Sequence, residues 1–351
     1  MTEMTRIICP ACERTSESGP PSCPAYDCPR GRMLTLLGRG EWVGEIEVLR
    51  LVAALPAMAI YEAQRRGVTL FLKLAPANQG QRLKREALFL RQAQATRQAH
   101  PAWPVLLPAE AGHSLDDAPY SKVTLHGRLY VFSVLAHVPG ETLRERLARR
   151  AQPHYEHAGS LILSLADTLY RLHQLGRLHL ALQPNIVVVG HDASRNPRPV
   201  LLDLGLLARQ GAGDLDVASV LFGYQAPELR SGEAIGPQTD VYGLGRLLYE
   251  MLDARAAFSA GPMLSRETQK EAFGPQLPNR SDLRTLPSIA MRAIAPDGRH
   301  RYADAAALFV ALRQTLPPVS PAPRSRWRGV LEMAAFIVGV ALTVTALLIL
   351  L

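Results

Sequence analysis

The chain has 351 residues, 48% of them hydrophobic and 20% charged, with a formal net charge of +8. That length can bury one large or two moderate cores, and the apolar share is ordinary for a globular protein with one membrane segment. The positive charge is almost all arginine, with only Lys73, Lys84, Lys122 and Lys270 as lysines; it is spread out rather than massed, which makes nucleic-acid binding the least favoured class.

All four cysteines fall in the first 28 residues: Cys9, Cys12, Cys23 and Cys28. The N-terminus is polar by Glu3 and has no apolar h-region, so no secretory signal peptide is expected and disulfides are disfavoured. C-P-A-C, then C-P-A-Y-D-C, are two short pairs separated by a loop, which can bring four thiolates to one tetrahedral ion. The alternatives are disulfides or unliganded reduced thiols. The segment 1–32 resembles a zinc ribbon, with the four cysteines as ligands of a structural zinc and no coordination position left for catalysis. Residues 33–44 read as a connector.

From Glu45 the pattern becomes strand-like. Ile46 to Leu51 and Ala59 to Ala63 flank a turn, Val68 to Leu74 forms a third run, and a helix starts near Gln81. Leu129 to Leu135 is a further strand. A long helix carries Leu161, Leu165, Leu169 and Leu172 on one face and delivers the chain to a loop through His179 and Pro184. Two apolar strands follow, Ile186 to Val189 and Val200 to Leu202, the second ending on Asp203-Leu204-Gly205, a place suited to hold a metal. Further on come Ala226-Pro227-Glu228, the helix QTDVYGLGRLLYEML with Asp240, and Arg301-Tyr302-Ala303-Asp304.

In order and spacing, these segments resemble a protein kinase of the bacterial Ser/Thr type, over about Glu45 to Leu316. The resemblance implies an α+β, bilobal protein kinase-like fold, with a β-rich small lobe over 45–136 and a helical large lobe over 137–316. It also implies that Lys73 pairs with Glu86 and reaches nucleotide phosphates, and that Asp203 holds a divalent ion. His179 is expected to pack in the catalytic loop, Asp240 to hold that loop's backbone, and Glu228 to pair with Arg301. Read alone, Lys73 and Glu86 are equally a strand-end and a helix surface charge, and Asp203 a turn aspartate.

Several family groups are replaced. Ala181 stands at the catalytic aspartate position, Gln183 at the catalytic-loop lysine, Leu180 at the arginine of HRD, and Ile186 at the metal-binding asparagine in a gap-free reading, where Asn185 could serve only if one residue has been deleted. The glycine-rich loop reads VAALPAMAIYEA, which puts Ala53, Leu55 and Met58 where glycines are expected. Ser219 is the only hydroxyl of the activation segment before Tyr224.

At the other end, 317–328 is a Pro/Arg-rich linker with Arg324, Arg326, Trp327 and Arg328, and 329–351 reads as one transmembrane helix acting as a tail anchor. The run from Met333 to Leu351 has neither charge nor proline; as a helix it spans about 28 Å against a hydrocarbon core of roughly 30 Å. A buried or oligomerisation helix is the alternative. The positive flank places the soluble domains on the cytoplasmic side of a single-pass protein.

The expected function is a membrane-anchored pseudokinase, a scaffold for an unidentified protein partner or a nucleotide sensor. Its cofactors would be structural zinc and weakly bound ATP with Mg²⁺ or Mn²⁺. The alternative is an atypical but active serine/threonine kinase using ATP, and a zinc-ribbon nucleic-acid binder is a more distant third.

Overall fold

The run Val68–Pro76 shows why sequence alternation is muted in this chain. Leu70, Leu72 and Leu74 point to one side of their strand while Phe71, Lys73 and Ala75 point to the other, and all six are buried. A strand covered on both faces has no reason to alternate apolar with polar. The computed structural model that reveals this describes residues 6–10, 12–16, 22–24, 28, 33–149, 155–191, 197–212, 215, 222–252 and 285–316.

The β-rich part is an antiparallel sheet of β4 (Trp42–Val43), β5 (Ile46–Leu55), β6 (Met58–Arg65), β7 (Val68–Pro76), β10 (Arg128–Ala136) and β8 (Leu106–Leu107) in that order, with β9 (Ser121–Leu125) also paired to β10. Its outer face is closed by a small N-terminal sheet, β2 (Thr15–Ser16), β1 (Ile7–Ile8) and β3 (Leu34–Thr35). Ile8, Leu34 and Leu37 join the outer-face cluster with Val43, Ile46, Leu70, Leu72 and Phe132. The Tyr61 hydroxyl accepts the Leu37 N–H at 3.0 Å, and burial pushes that phenol well above its ordinary range, so it stays a neutral partner. The cysteine segment is therefore docked on the sheet. It also reaches the helical part, through an exposed ion pair between Glu13 and Arg144 at 2.6 Å. Such a pair is worth about 0–1 kcal/mol and marks position more than strength.

On the inner face lies α1 (Gln81–Ala95), a run of strong helix formers without β-branched residues. It starts at Gly80, where a Cβ would stand 3.0 Å from Val131 of β10, so the absence of a side chain lets the helix begin against the sheet. The helical part opens with β11 (Glu141–Thr142) and α2 (Leu143–Ala148), set by a capping box in which Thr142 accepts from Glu145 N and the Glu145 carboxylate accepts from Thr142 N. Then come α3 (Tyr155–Gln174), the hairpin β12 (Val187–His191) and β13 (Pro197–Leu201), α4 (Pro227–Ser231), α5 (Pro237–Leu252), α6 (Thr285–Ala293) and α7 (Ala305–Thr315). α3 packs on α5 and α7, with Leu161, Leu165, Leu169 and Leu172 fully buried between them. Arg301 locks this end: its guanidinium grips both Glu228 carboxylate oxygens at 2.7 and 2.9 Å, and also donates to the carbonyls of Ala295, Pro296 and Gln238.

The fold is thus bilobal and kinase-like, with a β-rich first part and a helical second one. The turn expected to be the glycine-rich loop differs from that expectation in shape. Leu55 pairs with Met58, so only Pro56 and Ala57 form the turn, with Ala57 at φ +78° in a position glycine usually takes. Among the described residues no helix is long and apolar enough to cross a membrane; the run over 329–351, the linker 317–328 and Ser219 lie outside the described residues.

Candidate phosphotransfer cleft

Four ionised side chains meet where the sheet, α1 and the end of β13 converge. Lys73 sits on the inner face of β7. Its Nζ donates to Asp203 Oδ1 at 2.6 Å, to the Leu202 carbonyl at 3.3 Å, and to Glu86 Oε2 in a tight contact. Glu86, on the buried side of α1, also accepts the Leu204 N–H through Oε1 at 2.7 Å. One helical turn earlier, Arg82 donates to Asp203 Oδ2, which also accepts from Gly205 N at 3.0 Å. Lys73 and Asp203 are wholly inaccessible, Glu86 is 2% exposed and Arg82 7%. Two cations and two carboxylates thus form a dry, neutral cluster. Burial pushes the Asp203 carboxyl up, but the Arg82 and Lys73 charges outweigh it and hold the group well below the aspartate range. For Glu86 burial prevails over Lys73, and its carboxyl is raised.

Asp240, near the start of α5, shapes the loop facing this cluster. Its Oδ1 accepts from Leu180 N at 2.6 Å; its Oδ2 accepts from His179 N at 2.8 Å and meets His173 Nε2 at 2.9 Å. Leu180 is held at φ +63°, a left-handed conformation that a branched side chain rarely takes. The His179 ring bridges the loop to β13, with Nε2 donating to the Asp203 carbonyl at 3.0 Å and Nδ1 accepting from Ala181 N at 3.2 Å. Burial lowers its pKa, so it is a neutral imidazole with both nitrogens engaged and none left as a base. Gly205 is required here, at φ +69°, because a Cβ would lie 2.0 Å from the His179 carbonyl.

Ala181 is buried in this loop, two hydrogen bonds from Asp203, with no carboxylate in its place. Gln183 and Asn185 are buried too, and Gln183 Oε1 and Asn185 Oδ1 have no hydrogen-bond partner. Ile186 is fully buried, with its carbonyl on Leu202 N at 2.7 Å, and offers no polar side chain to a metal. The hairpin that ends in Leu55 and Met58 lies against the last turn of the loop. Ala53, Leu55 and Met58 from the hairpin tip join one apolar cluster with Leu143, Leu182 and Val188, and β5 rests on the turn Pro184–Ile186. Phe71, on the same side of β7 as Lys73, sets its ring 5.0 Å from that of His137, between the lobes. Sequence reasoning passed over Arg82 and Phe71. The signal for Arg82 was its i, i+4 spacing to Glu86, and for Phe71 its place two residues before Lys73 on the same face of the strand.

In the N-terminal segment Cys9 and Cys28 Sγ lie 3.6 Å apart, as do those of Cys12 and Cys23, and all four fall within 4.8 Å of one another. Four thiolates at Zn–S distances of about 2.3 Å stand roughly 3.8 Å apart, whereas a disulfide closes to about 2.05 Å. The donor set fits zinc.

Residues 121–291 match the protein kinase domain family, from β9 to most of α6, a span that holds the loop of Ala181, Asp203 and Asp240 but not Lys73 or Glu86. A probable serine/threonine-protein kinase of Streptomyces coelicolor is 26% identical over 193 residues, 53% of this chain and 28% of the relative. A Corynebacterium efficiens protein named as a serine/threonine-protein kinase is 29% identical over 185 residues, 51% of this chain and 34% of the relative. Serine/threonine-protein kinase PknB of Mycobacterium tuberculosis is 25% identical over 202 residues, 54% of this chain and 32% of the relative. The chain thus spans about a third or less of the length of these relatives. Among solved structures, the match to the Mycobacterium tuberculosis PknI kinase domain covers 80% of this chain and 99% of that one, at 23% identity and a TM-score of 0.46. The relatives carry the names of serine/threonine kinases, which runs against the expectation of a scaffold that has lost phosphotransfer and favours its alternative, an active serine/threonine kinase.

Proposed function

We propose that this chain is an atypical serine/threonine protein kinase. The observation that carries the reading is the buried Lys73–Glu86–Asp203 arrangement, set on a loop held by Asp240, in a chain whose relatives are named as such kinases. Phosphoryl transfer is mostly positioning and charge stabilisation, so loss of the general base at Ala181 lowers the rate without removing the reaction's main requirements. General-base assistance is worth about 10²–10⁴ in rate, so slow turnover is expected. Lys73 supplies positive charge to the phosphates of ATP. The unpartnered oxygens of Gln183 and Asn185 accept a hydrogen bond from the attacking hydroxyl and orient it, and its proton passes to an oxygen of the transferred phosphoryl group rather than to a side chain. The hairpin tip and Phe71 must move aside for a nucleotide to enter.

The divalent ion that the fold family implies does not fit the arrangement seen here. Both oxygens of Asp203 are held by protein cations and the second ligand position is Ile186. The test is transfer of radiolabelled phosphate from ATP to the chain itself and to a generic Ser/Thr substrate. Incorporation on serine or threonine that disappears in Asp203→Asn, with that variant still melting cooperatively, is expected; none in the wild type would remove the reading.

The N-terminal cysteines hold a structural zinc in the same proposal, and the segment 329–351, uncharged from Met333 on, tethers the chain to a membrane. A metal-dependent segment this small should lose its fold with the ion. Adding a strong chelator, or Cys9→Ser, is therefore expected to release about one zinc per chain, read by a colorimetric zinc indicator, and to lower the melting temperature through the contacts of Ile8, Leu34 and Leu37 on the sheet. An unchanged melt on zinc release would disconnect the segment from the domain.

A further inference from the structure

We propose that Arg82 is a built-in substitute for the divalent cation at Asp203, so that a guanidinium balances that carboxylate and the site excludes a metal. This rests on the kinase reading only in taking Asp203 as the metal position. A hard dication of this kind seeks six or more oxygen ligands and needs at least one carboxylate oxygen open to it. At Asp203 each oxygen already faces a protein cation. Oδ1 faces the Lys73 ammonium, while Oδ2 faces the Arg82 guanidinium and the Gly205 N–H. Glu86 is committed as well, with Oε2 on Lys73 and Oε1 on Leu204 N. A guanidinium carries its charge permanently, so no pH within the folded range withdraws it.

Geometry makes this placement a property of the helix. Arg82 and Glu86 are four residues apart on the buried side of α1, so the turn that delivers the Lys73 partner also delivers a cation to Asp203. Asn185 Oδ1, buried and without a partner, belongs to the turn whose next residue, Ile186, hydrogen-bonds Leu202 beside Asp203. With Arg82 removed, Asp203 offers a hard cation a carboxylate oxygen in a site of net negative character; with Arg82 present, the ion would meet a guanidinium.

The test is Mn²⁺ binding to the full-length, zinc-loaded chain in mild detergent, followed by electron paramagnetic resonance of free Mn²⁺. The wild type is expected to show no site that Asp203→Asn removes. Arg82→Gln should gain one, with affinity raised on the order of a hundredfold or more because a repelling charge next to the ion is gone. The gain should vanish in Arg82→Gln/Asp203→Asn, and Arg82→Lys, which keeps the charge, should stay closed to metal. An Asp203-dependent Mn²⁺ site in the wild type would overturn the proposal, as would Arg82→Gln that folds and gains nothing. Should Arg82→Gln not fold, Arg82→Met is judged by the same two outcomes. The readout involves no phosphate transfer, so an inactive chain that gains the site keeps this inference and loses only the kinase reading.

Discussion

Asp203→Ala is expected to destabilise the folded chain by about 3–5 kcal/mol, because removing one member of a buried ion cluster leaves its partners charged and uncompensated. Lys73, wholly inaccessible, would keep Glu86, and Arg82 would lose the carboxylate that faces it, leaving the buried cluster with an excess positive charge. The Gly205 N–H would lose its acceptor at the same time. Lys73→Met/Asp203→Leu removes one charge of each sign and should lose clearly less than Asp203→Ala alone, since replacing a buried pair by apolar groups of similar size is often near neutral. Urea denaturation of the variants checks this. A cost under about 1 kcal/mol for Asp203→Ala would mean that water reaches the cluster.

The second large effect belongs to Asp240. In Asp240→Ala the N–H groups of His179 and Leu180 lose their acceptor inside the protein, at about 1–3 kcal/mol each, for a total of roughly 2–6 kcal/mol. The loss is sharpened by Leu180, whose left-handed backbone costs about 1–3 kcal/mol and persists only while its surroundings hold it. Burial acts to raise the Asp240 carboxyl, but the hydrogen bond and charge of His173, with His179 and Leu180 behind them, keep it below the ordinary aspartate range. For an acid whose folded pKa is depressed, the added stability is complete above the unfolded value of about 3.9 and is lost as pH falls through the folded one. Asp240→Asn should therefore be less stable than the wild type at neutral pH and lose less on acidification below about pH 4. A melting-temperature series from pH 7 to pH 3 reads both; parallel curves would show that Asp240 contributes nothing by its charge.

Much of this was legible without coordinates. Lys73, Glu86, Asp203 and Asp240 could be named because the order of motifs resembles a protein kinase, and that order survives in sequence although single residues such as Lys73 or Glu86, read alone, look like ordinary surface charges. What could not be read was occupancy of space. The residues Leu55-Pro56-Ala57-Met58 showed that glycines were missing, but not that Leu55 and Met58 turn inward and join the shared core. Arg82 looked like one arginine among many, since its partner lies 121 residues away. Nor did a two-residue strand such as β3 announce that Leu34 would seal the back of the sheet, because nothing in a short apolar run says which distant surface it will meet.

That seal bears on how the chain can be cut. A fragment beginning at Glu45, the boundary that motif spacing suggests, would strip Ile8, Leu34, Leu37 and Val43 from the sheet and leave Leu70, Leu72 and Phe132 facing water. Such a greasy plane invites self-association, so the shortened protein should precipitate or pair with itself where the longer one stays dispersed.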